Sequence, residues 1–153
     1  MSANWGAETA EKLRNRLQAR QLNQKVLLEK RQLLEESGPH LWIELCECVK
    51  KKCLELNSNY RSDIIRIKDT VSNQLDVRFE FDDTSADLRI RFEATASPKA
   101  LTWEYSGQIG KQTKSGSCPL FVDQNGAVSF QQAMTPRSPE SLAEEMLNGL
   151  IAE

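Results

Sequence analysis

The sequence predicts an α+β domain: two N-terminal helices, a five- to six-stranded antiparallel meander, and a C-terminal helix packed on one sheet face. Three observations carry this. Residues Ala7 to Glu36 contain no Gly or Pro and are rich in Ala, Leu, Glu, Gln, Lys and Arg, the strongest helix formers. From Leu75 onward apolar residues alternate with charged ones at a period of two. Near the C-terminus, Ser138-Pro139-Glu140 opens a third stretch of helical spacing. Helices and strands come in separate runs, which argues for α+β, and 153 residues suit one domain over 1–153.

The first helix would span about 45 Å, longer than covering a small core requires. Its apolar residues form two faces. Ala10, Leu13 and Leu17 share one, while Ala19, Leu22, Val26 and Leu33, widened by Leu27 and Leu34, lie nearly opposite. The expectation is that the C-terminal half docks through the second face and that residues 1–20 project as a helical arm. A strict heptad from Leu13 runs through Arg20, Gln24 and Arg31, which argues against an isolated long coiled coil.

Ser37-Gly38-Pro39 reads as a helix stop followed by a helix start. The second helix then reaches about Asn57, with Trp42, Leu45, Cys46, Val49, Cys53 and Leu56 toward the core.

Ile65 and Ile67 suggest a first strand. Leu75, Val77, Phe79 and Phe81, then Leu88, Ile90, Phe92 and Ala94, mark two half-buried strands joined through Asp83-Thr84-Ser85-Ala86. A register in which paired residue numbers sum to 171 sets Asp82 against Arg89 and Glu80 against Arg91. A sum of 169 opposes like charges. The first is therefore expected, unless the four-residue loop dictates otherwise.

Leu101, Trp103 and Tyr105 continue the meander, and Gly110 to Gly116 reads as a flexible basic loop. Pro119–Val122 and Ala127–Phe130 form a hairpin around Asn125-Gly126, and Met134 to Arg137 reads as a loop. Ser138 as N-cap, Pro139 at the first helical position and Glu140 in the first turn start the last helix, whose apolar face is Leu142, Met146, Leu147, Leu150 and Ile151.

Composition and motifs exclude more than they identify. Twenty Lys+Arg against 22 Asp+Glu leave a net charge of -2, so a nucleic-acid partner is not expected. No apolar run is long enough for a membrane helix, and Met1 to Ala10 lacks the pattern of a signal peptide. Cys46, Cys48 and Cys53 on one helix are poorly placed for disulfides, which points to reduced thiols and the cytoplasm. The single histidine, His40, leaves little room for His-centred catalysis or a metal site, and Cys-x-Cys-x4-Cys is no zinc knuckle. Cys118 is a candidate exposed thiol but has no base nearby in sequence. No catalytic residue, metal or cofactor is expected.

Two functional expectations remain. The first is a non-enzymatic interaction domain, a homodimer or a subunit docking to another protein, whose long N-terminal helix binds through Leu13, Leu17 and Arg20. The second is a small binding domain for an apolar ligand, held in a cup of the sheet lined by Phe79, Phe92 and Trp103.

Overall fold

A computed structural model of the chain describes residues 4–107 and 115–152. Helix α1 (Trp5–Tyr60) is followed by seven strands, β1 (Ile65–Val71), β2 (Gln74–Phe81), β3 (Thr84–Glu93), β4 (Ala100–Ser106), β5 (Ser115–Val122), β6 (Val128–Gln132) and β7 (Thr135–Arg137), and by helix α2 (Pro139–Ile151). The fold is α+β, and the strands form one antiparallel sheet in sequential order β1 to β7. The C-terminal half of α1 packs on β1, β5 and β6, and α2 lies beside it over β3.

The two expected N-terminal helices are one helix of 56 residues with Pro39 inside it. At 1.5 Å per residue it is about 84 Å long. Pro39 has no N–H to offer the carbonyl of Glu35, normally a loss of about 3 kcal/mol. The helix continues because this turn is anchored on the sheet. Gly38 is buried, and a Cβ there would lie 3.1 Å from Phe92 Cζ and 3.4 Å from a Leu120 methyl. The glycine is thus a close-approach residue and not a helix terminator. Gly-Pro in a sequence does not distinguish these two uses.

The sheet turns one face to the helices. Leu75, Val77 and Phe79 of β2, Leu88, Ile90 and Phe92 of β3, and Leu101 and Trp103 of β4 are all buried on that face. They pack with Trp42, Leu45, Val49 and Cys53 of α1 and with Leu142, Ala143, Met146 and Leu150 of α2 in one core. The opposite face carries the intervening charges, including the Arg89–Asp76 pair at 2.9 Å and the Arg78–Asp87 pair at 3.8 Å.

The β2–β3 register differs from the expected one. Paired numbers sum to 165, as in Asp76↔Arg89 and Arg78↔Asp87, because the turn is the two residues Asp82-Asp83. Both adopt positive φ, 46° and 62°, as a tight hairpin turn requires. Aspartate tolerates that region without glycine. Charge complementarity survives with different partners. All three registers have odd sums, so the same residues face the core in each.

The same kind of turn adds a strand. Ala133 and Met134, at φ 51° and 65°, connect β6 to β7, so Thr135–Arg137 is a strand where a loop is expected. Most of the Gly110–Gly116 segment lies outside the described residues, and its last two residues open β5.

At the C-terminus the sequence reading and the structure agree closely. Ser138 Oγ accepts from the backbone N–H of Ser141 at 3.1 Å, and Pro139 occupies the first turn. The hydroxyl of Tyr105 donates to the Met146 carbonyl at 2.8 Å, tying β4 to α2. Gly149 makes room for it, since a Cβ there would lie 2.4 Å from that hydroxyl.

Candidate functional site

Exposure divides α1 into two parts. All buried residues of the helix lie between Gly38 and Cys53, whereas residues 11–32 are exposed without exception. The body first approaches the helix where Leu27, Lys30 and Arg31 face the 94–99 loop across an open cleft. Residues 5–26, roughly 33 Å of helix, extend beyond it.

This corrects the expected docking. Leu22, Val26 and Leu27 are 62%, 39% and 66% exposed, and only Leu33 and Leu34 are half-buried. Exposure is therefore continuous from residue 11 to residue 32, past the expected arm of residues 1–20. Helix phase explains why. At about 100° per residue, Leu13 and Leu17 fall within the arc of Trp42, Leu45, Cys46, Val49 and Cys53. Leu22 and Val26 fall on the far side. The stripe that docks on the sheet is thus continued by Leu13 and Leu17, which lie beyond the end of the sheet and stay 53% and 54% exposed.

Leu13, Leu17 and Arg20 come together as one exposed patch, each a helical turn from the next. Leu28, 62% exposed, lies on the same side two further turns along. That placement is not legible in the sequence, because a helix break at Gly38 prevents the phase of one half from being carried into the other.

The basic residues concentrate on the arm. Residues 1–32 hold seven Lys and Arg against three Asp and Glu, +4, while residues 33–153 hold thirteen against nineteen, -6. Between Lys12 and Leu28 there are five cations and no carboxylate.

Phe79, Phe92 and Trp103 are buried in the common core, at 7%, 4% and 7% exposure. Phe92 stacks on Trp42 of α1 with ring centroids 6.0 Å apart, and Phe79 stacks on Phe81 at 6.1 Å. Trp103 lies over Gly116, where a Cβ would come within 2.3 Å of the indole. The three rings belong to the packing that joins sheet and helices.

The thiols are placed for packing too. All four are free, and Cys46, Cys53 and Cys118 are buried. Burial pushes each of these three up to about 11, which keeps them protonated and poorly nucleophilic at neutral pH. Cys118, a candidate exposed thiol by sequence, is fully buried and donates to the Gln131 carbonyl at 3.1 Å. Among the described residues no three His, Cys, Asp or Glu side chains are grouped to hold a metal ion. No helix among them is long and apolar enough to cross a membrane.

A second cleft of interest lies on the outside of the helix pair. Leu56 and Asn59 of α1 and Leu147, Asn148 and Ile151 of α2 line about 260 Å³, rimmed by Glu55 and Glu144. Lys52 spans it, 2.8 Å from Glu144 and 3.5 Å from Glu140, and its pKa is raised chiefly by the hydrogen bond to Glu144.

Comparison with protein-family models, with curated proteins and with solved structures yields no match to this chain.

Proposed function

We propose that this chain is a non-enzymatic interaction domain that associates, with itself or with another protein, through the arm of α1, with Leu13, Leu17 and Arg20 in the contact. The observation that supports it is the exposed helix itself. Residues 11–32 are all exposed and carry Leu13, Leu17, Leu22, Leu27 and Leu28, each more than half exposed. An isolated helix is marginal in water, and helices in proteins draw most of their stability from packing an apolar face. Burying one leucine gains roughly 1.5–3 kcal/mol, so a partner that covers the Leu13–Leu17 side would both order the arm and bind to it. Reduced buried thiols suit the reducing cytoplasm, where the reading places the protein.

The solution mass of the full chain, followed by light scattering over a concentration series, is the direct test. Leu13→Asp and Leu17→Asp alter exposed sites and leave the core untouched. An oligomer that dissociates on these substitutions supports the arm as the interface. An oligomer whose mass neither substitution changes rejects it. If the wild-type chain stays monomeric, the expected partner is a different protein, and binding to it must again be lost with Leu17→Asp.

A further inference from the structure

We infer that the arm's partner is a second copy of this chain, and that the arm seats across the α1–α2 cleft of that copy while its own cleft receives the other arm. The inference rests on the arm-mediated association proposed above and adds its occupant and its acceptor.

Charge is the first argument. The arm carries +4 and the rest of the chain -6, so arm against arm repels while arm against body attracts. Three clefts among the described residues then separate by sign. The cleft under the 94–99 loop sets Lys30, Arg31 and Lys99 against Glu35 alone. The cleft on the outer sheet face sets Arg89 and Arg91 against Glu104. The α1–α2 cleft sets Glu55 and Glu144 against Lys52, over a floor of Leu56, Leu147 and Ile151. Of these it alone offers a basic, leucine-bearing helix both an acidic rim and an apolar floor.

Reach is the second argument. Leu17 and Leu56 lie on the same continuous helix, roughly 58 Å apart, so the arm cannot contact the cleft of its own chain while α1 is intact. In a two-fold exchange the arm of each copy lies along the α1–α2 cleft of the other. Both contacts form together in one closed, isologous dimer. The arm's Arg16 and Arg20, three residues after Leu13 and Leu17 respectively, would meet Glu55 and Glu144 of the partner.

Charge reversal in the full-length chain tests this. Arg16→Glu with Arg20→Glu on the arm, or Glu55→Arg with Glu144→Arg on the body, each weakens self-association about ten-fold or more. All four changes in one chain restore it, because each reversed arm meets a reversed cleft. Dimerisation of the wild type also weakens between about 0.1 M and about 1 M salt, as the screening length drops from about 10 Å to about 3 Å. Glu55→Arg alone is read as well, since it leaves the Lys52–Glu144 bridge in place. A monomer at all concentrations overturns the second copy as the partner. A dimer lost on Leu17→Asp but indifferent to the body reversals overturns the cleft while leaving arm-mediated association standing. A dimer lost on the body reversals but indifferent to Leu17→Asp rejects the arm itself.

Discussion

Two halves of one helix have met opposite fates. From Gly38 to Cys53, α1 lies in the core, with Leu45 and Val49 fully buried. From Glu11 to Gln32 the same helix, with leucines in the same angular arc, faces water. Local sequence does not explain the difference, since both halves are made of good helix formers with comparable stripes. The sheet explains it: its apolar face packs on the half from Gly38 to Cys53, which holds every buried residue of the helix. An amphipathic stripe therefore specifies that a face can be buried, while the extent of the opposing layer decides how much of it is.

That contrast can be broken residue by residue. Leu45→Ala, in the covered half, should cost about 2–5 kcal/mol, through lost transfer energy and the cavity left in the core. Urea unfolding followed by tryptophan fluorescence reads it, as Trp42 and Trp103 both report on this core. Gly38→Leu attacks the contact that lets the helix lie against the sheet. With Phe92 and Leu120 within 3.4 Å of even a Cβ, it should cost about 1–3 kcal/mol despite leucine's better helix propensity. A gain in stability there would show that the close approach is not what glycine provides.

Alkaline titration distinguishes the halves without mutating the arm. Cys46, Cys53 and Cys118 have thiols raised from 9.0 to about 11, so the folded state keeps protons that the unfolded chain releases. Their contribution is constant below pH 9.0 and declines as pH rises through about 11. The urea midpoint should fall across that window, with a shallower slope when the three are replaced by alanine. The smallest effect is expected from Leu17→Ala. Measured below any associating concentration, it should change stability by less than about 0.5 kcal/mol, the usual size for an exposed site. A cost near that of Leu45→Ala would mean that the arm is already packed within one chain.

What was legible in the sequence follows the same physical division. The alternation of Leu75, Val77 and Phe79 specified a half-buried strand and its inner face, and Ser138-Pro139 specified a helix start to the residue. Both are local signals with one structural meaning. Gly38-Pro39 has two meanings, and only the side chains across the interface, Phe92 and Leu120, select between them. The turns at Asp82-Asp83 and Ala133-Met134 use left-handed backbone without glycine or Asn-Gly, so no turn residue in the sequence marks them. For the candidate site, Leu13 and Leu17 were legible as leucines without a home. The shared phase with the docked stripe was hidden by the assumed break, and the α1–α2 cleft depends on a helix pairing that no local pattern encodes.

Pro39 has one further consequence. Helix formation is cooperative because each hydrogen bond is added to a turn already made, and a residue with no N–H interrupts that chain of support where the buried half begins. Fraying from Trp5 inward can therefore halt at Pro39 while the core-bound turns beyond it hold. The arm and the body become separate melting units within a single continuous rod. Amide hydrogens before residue 39 should exchange with solvent long before those of Leu45 and Val49. If the arm is covered by association, as proposed, their protection rises with protein concentration.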